Sequence, residues 1–181
     1  MMNKYLIVID MQNDFIDGAL GTKEAEAIVP LVEKRILDHL SNKKGPVIFT
    51  MDTHSPDYLE TAEGSKLPVP HCIAGTEGWE LHPALDKIAE RERCMIIEKP
   101  TFGSVALGGY LAAQNREAPI SEIELIGLCT DICVVSNAMI IKSHLPEVPI
   151  SVIAECCAGV TPESHENALS VMQTCHIDIH R

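Results

Sequence analysis

"IELIGLCTDICVVSNAMIIKSH", residues 123–144, passes from a short apolar run through a polar turn into a longer stretch with helical periodicity. Residues 123–128 read as a strand and 131–144 as an amphipathic helix, so Cys129 and Cys133 fall where one becomes the other. The same unit recurs along the chain. Apolar, β-branched runs stand at 5–10 (YLIVID), 45–52 (GPVIFTMD) and 94–99 (CMIIEK) before it, with 149–155 (PISVIAE) and a weaker 176–179 (HIDI) after it. Their continuous rather than alternating hydrophobicity predicts strands covered on both faces, the habit of parallel sheets. Helical patterns fill the intervals. In residues 25–40, Ile28, Leu31, Val32, Ile36 and Leu40 share one face, opposite Glu33, Lys34 and Asp38. Residues 104–115 and 162–175 behave likewise, the latter starting at Thr161-Pro162-Glu163. Alternating β and α elements require right-handed crossovers, and predict a three-layer α/β/α, doubly wound, mainly parallel six-stranded sheet.

Residues 53–83 interrupt this regularity with a long stretch rich in Pro, Gly, His and acids and lacking any clear period. A loop of that length inside a compact domain is usually functional or disordered, and its histidines, glutamates and Trp79 point to function.

At 181 residues, the chain is expected to form one domain over 1–181. Its formal charge of −12, spread along the sequence, repels nucleic acid and anionic membranes, so neither is expected as a partner. No stretch reaches the roughly 18 apolar residues of a membrane span, and the first apolar run is shorter than a signal-peptide core. A cytoplasmic protein is expected. Seven cysteines, an odd number without a regular framework, read mostly as buried reduced thiols.

In an open parallel sheet, ligands bind beyond the carboxyl ends of the strands. Polar residues end four of the runs here: Asp10, Asp52 with His54 two positions on, Lys99, and the turn holding Cys129 and Cys133. Thr130 or Asp131 can cap a helix starting near Ile132, which puts Cys133 in a first turn, where free amides and the helix dipole favour a thiolate. The backbone amides of Cys129 and Cys133 can face a developing oxyanion. The turn holds no histidine, which makes Asp10 the candidate base for the thiol, with Lys99 holding the pair electrostatically. Each residue also has a purely structural reading: a strand-terminal Asp as a turn former, Asp52 and His54 as a turn and a surface histidine, Phe15 and Phe102 as core. His82 and His165 read as ordinary polar positions, and Cys156 and Cys157 as packing at a strand end.

The ordered motifs "VIDMQNDF", "DTH", "PHC" followed by "GTEGWELHP", "EKPTFGS" and "GLCTDICV" span about residues 5–160 and resemble the isochorismatase-like cysteine hydrolases, most closely the nicotinamidases. The resemblance implies a catalytic triad of Asp10, Lys99 and Cys133, an oxyanion hole from the amides of Cys129 and Cys133, and a cis peptide preceding Cys129. It also implies a divalent metal, zinc, iron or manganese, held by Asp52, His54 and His71, with Glu63 as the fourth ligand and Glu60 behind it. Oxygen and imidazole donors suit those ions. Phe15, Phe102 and Trp79 are the candidates to flank a substrate ring. The family usually has an aromatic residue three positions before the second metal histidine, where this chain has Pro68, which opens the pocket to less aromatic amides.

The implied activity is hydrolysis of nicotinamide to nicotinate and ammonia through a cysteine thioester, in NAD salvage, by a protein that assembles with copies of itself. Alternatives are the same chemistry on another small amide or carbamoyl compound, a thiol redox protein using Cys129 and Cys133, and a non-catalytic binding domain. The spacing of the two thiols is not the usual redox motif, and redox chemistry leaves Asp10 and Lys99 without a role.

Overall fold

The computed structural model describes residues 3–181. Its six strands, all parallel, stand in the order β3-β2-β1-β4-β5-β6: β1 Lys4–Ile9, β2 Val47–Asp52, β3 Met95–Lys99, β4 Glu122–Leu128, β5 Ile150–Ala158 and β6 Asp178–His180. The helices are α1 Asn13–Ile16, α2 Lys23–Ser41, α3 Pro83–Glu92, α4 Val105–Glu117, α5 Val135–His144 and α6 Pro162–Thr174. The sheet thus has the predicted doubly wound α/β form.

Alternation along each strand divides the core. Leu6 and Val8 of β1 pack with Val32 and Ile36 of α2 and Leu85 and Ile88 of α3, while Tyr5, Ile7 and Ile9 turn to the opposite face with Leu107, Ala138, Ile141 and Leu169. Both faces are covered, which is why the strand sequences run apolar without a break. β3 is the exception. As one of the two outer strands it has one neighbour, and Met95 and Ile96 are 41% and 45% exposed rather than buried as their run predicts.

Two helices differ from the sequence reading. In α2 the buried stripe is Ala25, Ile28, Val29, Val32, Ile36 and His39, a run of three- and four-residue steps, and Leu31 lies off that stripe, facing solvent. α3 lies just beyond the irregular stretch and was not predicted. Pro83 in its first turn and the ring of His82, which accepts from Ala84 N at 3.3 Å, start it, and Leu85, Ile88 and Ala89 bury its inner face.

The chain winds outward from β1 through β2 to β3, then crosses back to place β4 on the other side of β1. The switch point therefore lies between β1 and β4, with a crevice beyond their carboxyl ends. Gly127 permits the close approach there. Paired with Ile9, it has φ of 115°, and a Cβ would sit 2.1 Å from the Ile9 carbonyl oxygen.

Candidate active site

The side chains at this crevice come from four strand ends. Asp10 follows β1 with φ of 46°, a left-handed conformation that aspartate tolerates better than most residues. Its amide donates to the Thr50 carbonyl at 3.2 Å, and the Thr50 hydroxyl donates to Asp10 Oδ1 at 2.6 Å. Its second oxygen, Oδ2, lies 2.6 Å from Lys99 Nζ. Lys99 ends β3, paired in register with Asp52 on β2. Its buried ammonium also lies 3.2 Å from Asp52 Oδ1 and 3.5 Å from Cys133 Sγ. One cation thus touches both carboxylates and the thiol.

Burial sets the protonation of this group. Loss of water pushes the Asp10 carboxyl up from its ordinary value, only partly opposed by Lys99, and the charge of Asp52 adds to the rise. Desolvation works against the Lys99 ammonium, but Asp10, Cys133 and Asp52 outweigh it and raise its pKa. Burial, the charge on Asp10 and the thiol's hydrogen bond to Asp10 push Cys133 well up. The resting thiol therefore keeps its proton, beside a carboxylate whose own proton affinity is raised. Such a pair can pass the proton when a substrate carbonyl arrives, and Lys99 stabilises the negative charge on either partner. Burial, followed by the charges of Asp131 and Asp10, pushes Cys129 to about 12, against a smaller opposing pull from Lys99.

The turn holding Cys133 departs from the predicted helix start. Thr130–Val134 is a single π-helical turn that runs into α5, and Cys129 precedes it without a side-chain cap. The Cys129 carbonyl accepts from both Ile132 and Val134, at 3.1 and 3.0 Å. Neither Thr130 nor Asp131 caps. The Thr130 hydroxyl bonds His165 Nδ1 at 2.8 Å, and the Asp131 carboxylate accepts from the Val160 amide at 3.2 Å, so both tie the turn to the segment that follows β5. The Leu128–Cys129 peptide is cis.

Beside the thiol, Asp52, His54, Glu63 and His71 bring one donor atom each within 4.8 Å of one another. His54 Nε2 lies 3.0 Å from Asp52 Oδ2, and His71 Nε2 lies 3.7 Å from Asp52 Oδ2 and 3.8 Å from Glu63 Oε1. His71 Nδ1 meets the Val69 carbonyl at 2.8 Å, which fixes the ring and turns Nε2 to the cluster. Glu60 is exposed and outside the group. Burial works to raise Asp52, yet its hydrogen bonds with His54 and His71 and the charge of Lys99 hold it well below the carboxylate range, while burial and Asp52 raise Glu63. Two carboxylates and two imidazoles in this space fit a divalent cation, whose charge offsets the crowding of the acids.

Sequence reasoning missed the supports of this cluster. Buried Gln12 accepts from the Asp52 amide at 2.7 Å and donates to the carbonyls of Asp52 and Trp79 at 2.8 and 2.7 Å. Asp14 Oδ2 accepts from Cys72 N, next to His71, at 2.7 Å. Both belong to the "VIDMQNDF" motif, where polar residues directly after a buried strand were the available signal.

A cavity of about 240 Å³ opens onto the thiol and the cluster. Phe15, Leu20, Leu67, Phe102, Ile132 and Val160 make its apolar wall; Asp52, Glu63, His71, Cys129 and Cys133 are at its polar end. Among the described residues, no arginine or lysine lines it. Trp79 is not on the wall: its indole donates to Thr53 Oγ1 at 2.9 Å and the ring packs against the α2/α3 side of the core. Nor is Pro68, which is exposed; its neighbour Leu67 takes the wall position.

The sequence profile of the isochorismatase domain matches residues 4–179. The uncharacterised isochorismatase family protein PncA of Bacillus subtilis (strain 168) is 33% identical over 180 residues, which cover 93% of each chain. The crystal structure of nicotinamidase/pyrazinamidase PncA from Bacillus subtilis superposes with a TM-score of 0.84 at 32% identity, over 99% of this chain and 100% of that one. The pyrazinamidase of Pyrococcus horikoshii, in complex with zinc, gives a TM-score of 0.78 at 27% identity over 99% of both chains.

Proposed function

The chain belongs to the isochorismatase family, and from that premise we propose that it hydrolyses nicotinamide to nicotinate and ammonia with Cys133 as nucleophile. The observation that carries this reading is the Lys99 ammonium in contact with Asp10, Asp52 and Cys133 at once. Asp10 takes the Cys133 proton as sulphur attacks the amide carbon, and the backbone amides of Cys129 and Cys133 receive the oxyanion. Asp10 then gives that proton to the departing nitrogen, releasing ammonia and leaving a thioester. As a carboxylate again, it draws a proton from the water that cleaves the thioester, and returns it to sulphur as the acid leaves. Lys99 keeps the paired charges stable through both halves.

Asp52, His54, Glu63 and His71 would hold a divalent ion, zinc, iron or manganese, which when bound supplies Lewis acidity beside the reacting carbon. Phe15 and Phe102 flank the substrate ring. We also infer a single domain working in NAD salvage in the cytoplasm as a homo-oligomer, without nucleic-acid partners.

Leu67 favours a second reading. An aliphatic wall at Leu67 also suits a small aliphatic amide, whereas the absence of a lining cation among the described residues disfavours carbamoyl compounds that carry a carboxylate.

The test is ammonia release from nicotinamide and a panel of small neutral amides by metal-supplied protein, with Cys133→Ala alongside. Release from nicotinamide that vanishes in the variant supports the first reading. Turnover of an aliphatic amide alone moves the substrate to the second, and no turnover of any amide overturns the hydrolase.

A further inference from the structure

Asn137 lies in α5, one turn beyond Cys133, fully buried, and no step of the hydrolysis uses it. Its amide is nevertheless bonded on three sides. Nδ2 donates to the Cys133 carbonyl at 2.8 Å and to the Phe102 carbonyl at 3.1 Å, and Oδ1 accepts from the Ser104 amide at 2.9 Å. Both N–H groups and the oxygen of the side chain are thereby used. A single residue thus joins the turn that carries the thiol to the segment between Lys99 and α4.

Among the described hydrogen bonds, those of Asn137 are the ones that tie this segment to the turn and α5. The Phe102 ring is 41% exposed, so core packing does not fix its place on the cavity wall. Gly103 lies so close to α5 that a Cβ there would come within 2.5 Å of Ile140 Cδ1, which leaves no room for an anchoring side chain. Ser104 spends its hydroxyl on capping α4, accepting from the Leu107 amide at 3.1 Å. The main-chain bonds to Asn137 remain as the direct link between Phe102 and Cys133.

We propose that Asn137 is a positioning residue that sets the separation between the Cys133 thiol and the Phe102 wall, and so determines selectivity for ring-bearing over small aliphatic amides. The inference rests on the proposed hydrolysis, since it concerns which amides that site accepts. Without Asn137, the carbonyls of Cys133 and Phe102 and the amide of Ser104 lose their partner, and the loop moves off the position from which the ring contacts substrate.

The test compares wild type, Asn137→Ser, Phe102→Ala and the double variant on nicotinamide and on propionamide. Serine keeps a hydroxyl near the Cys133 carbonyl but is too short to span Phe102 and Ser104. Asn137→Ser is expected to raise KM for nicotinamide about tenfold, the factor that follows from losing one or two buried hydrogen bonds, with kcat/KM for propionamide changed less than about threefold. The double variant should be no worse on nicotinamide than Phe102→Ala alone. Equal losses on both amides, or effects of the two substitutions that multiply, would overturn the proposal. Hydrogen exchange reads the same link without turnover: amides of 101–104 should exchange faster in Asn137→Ser while β1 and β4 stay protected. Should wild type prove inactive on every amide, the hydrolase reading fails, and unchanged exchange in 101–104 separately refutes the link.

Discussion

Replacing Lys99 with methionine removes the only side-chain cation that contacts Asp10 and Asp52 among the described ion pairs of lysine and arginine. At an effective dielectric of about 20, charges 2.6 and 3.2 Å apart attract by about 6 and about 5 kcal/mol. Stripping water from the buried ammonium costs several kcal/mol of that, and leaving buried charge unpaired typically costs about 3–5 kcal/mol net. With a urea m-value of roughly 2 kcal/mol/M, Lys99→Met should lower the unfolding midpoint at pH 7 by about 2 M. Both proteins are to be dialysed against a chelator first, so that no ion takes over the lysine's charge. The direction with pH follows from the sign of the shifts. The folded pKa of Lys99 is raised, so its contribution is fully present at pH 7 and is lost only as pH rises beyond the ordinary lysine range. Asp10 is raised already and rises further without the lysine, so it takes up a proton as pH falls, and the variant recovers part of the deficit. The gap between the two midpoints should therefore narrow from pH 8 to pH 5. A midpoint shift under about 0.3 M, or a gap constant with pH, would refute the view that the lysine offsets the buried acids.

Two further outcomes follow from the same coordinates. Gly127→Ala places a Cβ 2.1 Å from the Ile9 carbonyl at φ of 115°, and should cost at least about 3 kcal/mol or prevent soluble expression; a melting temperature within a few degrees of wild type would contradict the close approach of β1 and β4. Burial lowers the pKa of His39, whose Nε2 meets the Gly45 carbonyl at 3.1 Å, so its neutral form favours the fold above the ordinary histidine range and that contribution is lost as pH falls through its folded value. His39→Gln, which keeps a donor, should flatten the fall in urea midpoint below pH 6.5, and parallel slopes for the two proteins would rule the histidine out as its source.

The strands and the motifs at their ends were legible because an apolar run covered on both faces has a local signature, and the polar residue that ends it is necessarily placed at the sheet edge. Asp10, Asp52, Lys99 and Cys133 were located in this way, and Glu63 by resemblance. Where the reading failed, the cause was a competing partner from elsewhere in the chain. Thr130 and Asp131 have the chemistry of helix caps, but His165 and Val160 claim their side chains and the turn closes as a π-helix. Met95 and Ile96 look like core residues, and being on an outer strand exposes them.

Local sequence by itself determined which residues lie at strand ends, because side-chain periodicity and backbone hydrogen bonding act over a few positions. The tertiary structure alone decided which of them meet. Lys99 reaches Asp10, Asp52 and Cys133 only because β3, β2, β1 and β4 stand side by side in that order, and Asn137 finds Phe102 only because α5 lies against the segment after β3. Leu67 rather than Pro68 faces the cavity, and Glu63 rather than Glu60 joins Asp52, His54 and His71, for the same reason. In a loop without a period, the direction of a side chain is set by the distant segments that pack against it, and no local pattern records them.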